Sequence, residues 1–107
     1  RSRLIENLVA RTATISPNGD GINDALEVSY DLLKLTDWAP VSFQIYDLHG
    51  GLVAQGKSRQ RSGRFVRVWR GVCGRGQRVP PGFYVYQIQV EADGGTSRQF
   101  GTVRVVY

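Results

Sequence analysis

Methionine is absent from this chain of 107 residues, and cysteine and histidine each occur once, as Cys73 and His49. A lone cysteine cannot form an internal disulfide or a multi-cysteine metal site. No second histidine and no nearby serine with an acid accompany His49, so the sequence offers no catalytic constellation and predicts a protein that is not an enzyme. We interpret His49 as a turn residue and Cys73 as an inert or half-buried thiol, although Arg70 and Arg75 nearby would favour a reactive thiolate.

Long apolar runs are also lacking, since none approaches the roughly 20 residues that a membrane-spanning helix needs. The chain begins at Arg1 without a signal-peptide pattern, so we interpret it as a mature product or as part of a larger polypeptide. Residues 1–7 show no clear hydrophobic period and are predicted to be a linker or lead-in from an upstream region. Residues 8–107 are then predicted to form one domain.

Lysine is scarce, because twelve of the fourteen basic residues are arginine, and the formal net charge is +5. No acid interrupts the segment between Lys57 and Arg78, whereas acids predominate between Asp20 and Asp37. Arginine is well suited to bidentate contact with carboxylate or phosphate. The segment is therefore either a solvated face or a contact surface for an acidic protein or an anionic envelope surface. The candidate partner-binding residues are Arg59, Arg61, Arg64, Arg67, Arg70, Arg75 and Arg78.

Apolar and polar residues alternate with a period of two in several segments, which predicts strands rather than helices. The alternating or strand-like segments are Leu8–Ile15, Leu26–Asp31, Val41–Tyr46, Leu52–Lys57, Arg64–Trp69, Phe83–Val90 and Phe100–Tyr107. Glycine-rich and proline-rich turns separate them, and Asp93-Gly94-Gly95 is typical of a hairpin turn. About seven strands at short spacing predict an all-β fold, an immunoglobulin-like or fibronectin-III-like antiparallel β-sandwich.

The strand Arg64–Trp69 has an awkward pattern, because Arg67 shares a face with Phe65 and Trp69. We predict that Trp69 lies in the core and that Arg67 extends its aliphatic part toward an edge of the sandwich. A β-bulge would resolve the conflict in another way. Phe65 and Trp69 are thereby assigned to the interior, which disfavours nucleic acid as a partner because its readers expose such rings.

The stretch Ser16–Asp24 contains one proline, two glycines, two asparagines and two aspartates. Oxygen-bearing side chains are the ligands that Ca²⁺ prefers, although their spacing here does not match an EF-hand loop. The alternative is a turn whose Asx side chains cap their own backbone. The candidate calcium ligands, and the only candidate site for a cofactor, are Asn18, Asp20, Asn23 and Asp24.

Three groups of residues occur in a defined order and resemble a known family. They are Ser16–Asp24 before the second strand, Ile45–Gly50 closing the third, and Trp69-Arg70-Gly71 followed by Val79–Tyr86. In this order they resemble the FlgD-type immunoglobulin-like domain and the gliding-motility-associated C-terminal domain of the type IX secretion type. The resemblance covers roughly residues 15–107. Arg70 stands where the family usually has aspartate, and Arg67 where it has an apolar residue, which indicates a specialised basic face.

The resemblance implies a non-catalytic β-sandwich module of an exported bacterial protein, in the periplasm, on the outer-membrane surface or outside the cell. Its partners would be other proteins of a cell-envelope assembly or upstream domains of the same polypeptide, with edge strands and the arginine-rich face as contacts.

The alternative function is an accessory carbohydrate-binding domain of a secreted hydrolase, with Trp38, Trp69, Tyr84 and Tyr86 as a sugar platform. Alternation assigns Tyr84 and Tyr86 to the interior, which favours core packing over such a platform. Trp38 is predicted to anchor the connection before the strand at Val41 to the core.

Overall fold

Eight β-strands make up the regular structure of the chain in a computed structural model, which describes residues 4–11, 13–17, 24–33, 35, 37–92 and 95–107. The strands are β1 (Ile5–Ala10), β2 (Thr14–Ile15), β3 (Leu26–Leu32), β4 (Ala39–Asp47), β5 (Leu52–Gln60), β6 (Gly63–Trp69), β7 (Gly82–Ala92) and β8 (Gly95–Val105). The described residues include no helix long and apolar enough to cross a membrane.

The strands form two sheets that face each other across one apolar core. One sheet has the order β1-β3-β6, and the other has the order β2-β8-β7-β4-β5. All pairs are antiparallel except the short pair of β2 with β8. This arrangement confirms the predicted all-β sandwich. β5 and β6 are consecutive in the chain but belong to different sheets, and each is the edge strand of its sheet. Because a short turn joins them, the two edges lie on the same side of the molecule.

The period of two in the sequence corresponds to the inner faces of the sheets. In β3 every second side chain is fully buried, from Leu26 to Leu32. In β7, Tyr84, Tyr86 and Ile88 are buried as predicted from the alternation of that strand. Because successive side chains of a strand point to opposite faces, this burial leaves the alternate residues on the outer faces.

The prediction of a single strand over Leu8–Ile15 is wrong. β1 pairs with β3 in the smaller sheet, whereas β2 pairs with β8 in the larger one, so the chain changes sheets between them. β1 also begins at Ile5, which is buried and lies within the segment predicted to be a lead-in. A register shift lies between Glu6 and Val9, with Asn7 at a φ of 55°. This irregularity breaks the alternation of side chains, so a period of two does not indicate the start of the strand.

Asp31 connects the three strands of the smaller sheet. Its carboxylate accepts a hydrogen bond from Nε of Arg64 at 2.9 Å and another from Nδ2 of Asn7 at 2.7 Å. The Arg64 guanidinium, and next the Asn7 amide, hold the pKa of this carboxyl below its usual value. Both donors favour the charged form, so the native state binds the ionised carboxylate in preference to the neutral acid.

Replacing Asp31 is expected to change how stability depends on acid. Because the native pKa is lowered, the stabilisation is present above the unfolded-state pKa of about 4 and is lost as pH falls through the native value. Asp31→Asn should therefore melt at a lower temperature than the native chain at pH 7 and show a smaller decrease in Tm between pH 5 and pH 2. Glu91→Gln, an exposed carboxyl on β7, is the control. An unchanged acid slope in Asp31→Asn would contradict this role.

Candidate functional site

Four of the arginines predicted to form a contact surface lie on β5 and β6, the edge strands of the two sheets, or on the turn between them. Arg59, Arg61 and Arg64 lie at or beside the turn that joins these strands, and Arg67 lies midway along β6. The remaining three follow β6 in the segment 70–81 and are exposed; they are Arg70, Arg75 and Arg78. We call these arginines, together with Lys57 of β5, the basic side.

Charge on the basic side is compensated at one arginine within the residues that the structure describes. Arg64 pairs with Asp31, and the other arginines of the set have no carboxylate within 4.0 Å in the described ranges. Arg61 instead lies over the ring of Trp38, with Cζ 5.7 Å from the ring centroid. Trp38 is 52% exposed, so the prediction that it anchors its connection to the core is wrong. Its ring supports an arginine at the surface instead.

A cavity of about 260 Å³ opens between the edges of β5 and β6. Phe43 and Ile45 form its apolar base, Ala54 and Gly56 line it from β5, and Arg67 and Trp69 line it from β6. The cavity exists because the smaller sheet has three strands and the larger has five, which leaves part of the larger sheet's inner face uncovered beyond β6. It is thus a gap in the core with a positively charged wall.

Arg67 extends toward the edge of the sandwich, in agreement with the prediction, and its side chain also crosses this gap to β5. β6 pairs with β3 without a register shift, so the side chain stays on the inner face between Phe65 and Trp69 and no bulge turns it outward. Its guanidinium donates a hydrogen bond from Nη1 to Oγ of Ser58 at 3.3 Å, and Cζ lies 5.8 Å from the ring centroid of Phe43. Arginine can cover apolar surface with its stem while its head reaches a more polar region.

Two further residues of this site carry no signal of their own in the sequence. A Cβ placed on Gly56 would lie 2.5 Å from Nη2 of Arg67, so the absence of a side chain there makes room for the guanidinium. Ser58 supplies the oxygen that Arg67 contacts. Both residues stand on the inward-facing positions of β5, and only the pairing of the two sheets brings them to β6.

The segment 70–81 is fastened to the sandwich by Trp69. The indole Nε1 donates to the carbonyl of Val72 at 2.8 Å, and the ring packs against Tyr84 with centroids 5.6 Å apart. The N–H of Gly74 donates to the carbonyl of Val53, which attaches the same segment to the start of β5. These contacts determine where Arg70, Arg75 and the rest of the segment lie relative to the two edges.

The other predicted site residues do not join the basic side. His49 lies in the exposed turn after β4, where its N–H donates to the Asp47 carboxylate. Cys73 is partly buried, and the backbone N–H groups of Arg75 and Gln77 lower the pKa of its thiol. Trp69, Tyr84 and Tyr86 are buried, as alternation predicted, so they do not present a platform for a sugar.

The predicted calcium ligands fall largely outside the described residues. Asn18, Asp20 and Asn23 are not among them, and of the four only Asp24 is described. Elsewhere in the described ranges, no group of three or more histidine, cysteine, aspartate or glutamate side chains is arranged to hold a metal ion. Calcium binding by Ser16–Asp24 stays a prediction.

Residues 9–105 match the family model of the CHU_C type IX secretion signal domain. The chain belongs to this family. The match covers nearly the whole sandwich and confirms the predicted resemblance to the type IX secretion type of domain. A CHU_C domain is a secretion signal, so the chain is part of a secreted or exported protein. No curated protein sequence matches the chain.

Solved structures with the same fold include PorU and two FlgD proteins. The CHU_C domain superposes on dimeric latent PorU from Porphyromonas gingivalis with a TM-score of 0.71 and 17% identity, covering 92% of this chain and 9% of PorU. FlgD from P. aeruginosa gives a TM-score of 0.61 and 21% identity, covering 97% of this chain and 78% of FlgD. FlgD from Xanthomonas campestris gives 0.58 and 21%, covering 94% and 67%. At these identities the likeness concerns the fold alone.

Proposed function

We propose that this CHU_C domain is a non-catalytic docking module, through which a protein of the bacterial cell envelope recognises the exported polypeptide. The observation that carries the proposal is the basic side, whose arginines lie on the edge strands β5 and β6, on the turn that joins them and in the segment that follows β6. Membership of a secretion signal family supports recognition by another protein, since a signal acts by being bound. The partner would present an acidic surface to these arginines.

The charge of the basic side would affect both how fast a partner associates and which partners bind. Complementary charge accelerates association and rejects partners of the same sign, and its effect decreases as salt screens it. The exposed arginines project from the turn at one end of the edges and from the segment 70–81 at the other. A partner can therefore contact charged groups at both ends while its middle lies against the edge strands.

Export of a reporter tests this proposal in a bacterium that has a type IX secretion system. A reporter protein fused ahead of the 107-residue chain is expected outside the cells. The double variant Arg59→Glu, Arg78→Glu is expected to lower the exported fraction by about tenfold, because it reverses charge at both ends of the basic side. The exported and retained fractions are measured by immunoblot against the reporter.

The matched control reverses two arginines of β8, with Arg98→Glu and Arg104→Glu. These lie on the outer face of the larger sheet, on a strand separated from β5 by β7 and β4. Export of this control should equal that of the native chain, and both doubles should keep the native Tm within a few degrees. Retention of the unaltered fusion would overturn the signal function, and equal export of the two doubles would overturn the role of the basic side.

A further inference from the structure

β6 has one free edge that is regular along its whole length. Seven residue pairs join Gly63–Trp69 to β3 without a register shift, and none of the described strands pairs with its other side. In the part of the chain that the structure describes, residues 63–69 make no backbone hydrogen bonds beyond that ladder. An unpaired edge with regular spacing is a template on which another extended segment can add as a strand.

The edge of β5 is a poorer template on the same side of the molecule. The carbonyl of Val53 already accepts the N–H of Gly74, so the segment 70–81 occupies one end of that edge. A register shift between Ile45 and Tyr46 also makes the start of β5 irregular. An added strand would therefore meet better hydrogen-bonding geometry on β6 than on β5.

The side chains of β6 determine what such a strand should contain. Val66 and Val68, which are 55% and 46% exposed, flank the edge on the outer face of the sheet. Phe65, Arg67 and Trp69 flank it on the inner face, beside the cavity. Alternate residues of an added strand would thus lie next to two exposed valines or point into the cavity.

Arg67 gives the cavity an uncompensated positive charge. Within the described ranges its guanidinium makes a single hydrogen bond, to Ser58, and has no carboxylate partner. A guanidinium has five N–H donors and matches the two oxygens of a carboxylate. The cavity of about 260 Å³ is several times the roughly 30 Å³ that one water molecule takes in the liquid, so a carboxylate side chain has room there.

We propose that the free edge of β6 binds an extended segment of a partner protein as a fourth strand of the smaller sheet, with an inward carboxylate of that segment paired to Arg67. The segment would place an aspartate or glutamate at one inward position and small or β-branched residues at the neighbouring inward positions. This deepens the proposed docking function and rests on it, because it defines the chemistry of the partner segment.

Charge selects a partner of this kind over a second copy of the same chain. Pairing β6 with β6 of another copy would bring two Arg67 side chains into one cavity, along with the arginines at each end of the edge. Like charges placed together in this way destabilise a contact. No acid lies between Lys57 and Arg78 to compensate these charges. Pairing of β6 with a second β6 is therefore disfavoured, and pairing with an acidic strand is favoured.

A designed peptide tests the inference on the 107-residue chain. The probe is a capped seven-residue peptide with threonine at odd positions and valine, glutamate and valine at the even positions. Titration followed by ¹⁵N NMR should shift and protect amides of Gly63–Trp69. The same peptide with glutamine in place of glutamate should bind about 10- to 100-fold more weakly, which is the usual range for losing a hydrogen-bonded charge pair.

Variants of the chain locate the effect. Arg67→Gln and Arg67→Leu should bind both peptides alike, and the second keeps the test valid if glutamine in the core impairs folding. Arg104→Gln is the matched control, because Arg104 also lies over a phenylalanine ring, with Cζ 5.7 Å from the Phe83 centroid, but on the other sheet. It should retain the full preference for glutamate. N-methylation of alternate peptide amides should abolish binding, since it removes strand pairing and keeps the carboxylate.

Several results would overturn the inference. These are equal affinity for the glutamate and glutamine peptides, amide shifts centred on β5 or on the outer face of the larger sheet, no binding at millimolar peptide, and self-association of the chain through β6. The peptide titration and the export assay test different claims and can fail independently. Native export with no peptide binding would remove the strand-addition mechanism and leave the docking function in place.

Discussion

Trp69→Ala is expected to lower the free energy of unfolding by about 3–5 kcal/mol, the usual cost of deleting a buried tryptophan side chain. Trp69 is 5% exposed, packs against Tyr84 and contributes to the wall of the cavity. Its loss enlarges an existing gap in the core, and the surrounding strands cannot close it without changing their pairing. For a chain of this size, the decrease in Tm should be about 15 °C or more.

Two variants separate the packing contribution of Trp69 from the contribution of its hydrogen bond to Val72. Trp69→Phe keeps an aromatic ring but leaves the carbonyl of Val72 without its 2.8 Å hydrogen bond from Nε1, which should cost about 1–2 kcal/mol. Hydrogen exchange in residues 70–81 should then increase more than in β3. Trp38→Ala is the control, because Trp38 is half exposed and its loss should cost less than about 1 kcal/mol. Similar losses of stability in Trp69→Ala and Trp38→Ala would contradict the core role of Trp69.

Gly101→Ala is expected to destabilise the chain by about 2–3 kcal/mol, because it overpacks the core. Gly101 stands opposite Tyr86 in the pairing of β8 with β7, and a Cβ built there would overlap the phenol ring. Tyr86 is buried and lies between the two sheets, so the ring has little free volume into which to move. Because Gly101 has no side chain, the ring of Tyr86 can lie across β8. In this known arrangement, an aromatic side chain covers a glycine of the neighbouring strand.

A double-mutant cycle measures that contact. Tyr86→Leu shortens the side chain that would meet the new methyl group, so Gly101→Ala should cost at least about 1 kcal/mol less in the Tyr86→Leu background than in the native chain. Gly74→Ala is the matched control, since a Cβ at Gly74 meets nothing within 4 Å. The Tm in thermal melts and the midpoint concentration in urea should both be nearly unchanged in this control. Additive effects of the two substitutions would show that Gly101 is not needed for Tyr86.

The fold class followed from alternation, because β3 and β4 are half-buried and carry the period of two without interruption. β7 has the same alternation of inner residues, although Gln87 on its other face is also buried, and the inner residues of these three strands make up much of the core. The prediction omits only the start of β1, Ile5–Asn7, because the register shift near Asn7 disturbs the period. The prediction that Trp38 anchors its connection to the core is wrong, because Trp38 lies just before β4 with its ring at the surface, under Arg61.

The candidate site was predictable in its charge and not in its shape. The run of arginines between Lys57 and Arg78 is visible in the amino-acid sequence, as is the conflict that Arg67 creates on the inner face of its strand. Nothing local indicates that Gly56 and Ser58 lie beside that arginine, since the contact joins edges of two different sheets. The exposure of Val66 and Val68 likewise depends on the position of β6 at the edge of its sheet, where no other described strand pairs with its outer side.

The amino-acid order determined by itself that the chain is a β-sandwich, which residues of the clearest strands are buried, and that one segment is strongly basic. These properties are local, because side-chain alternation and charge are read along a strand. The tertiary structure alone decided that β5 and β6 are both edges, that a cavity separates them, and that Arg67 is left there without an acid within the described residues. Those properties come from how distant segments pair, and pairing between sheets depends on the whole set of strands rather than on any one of them.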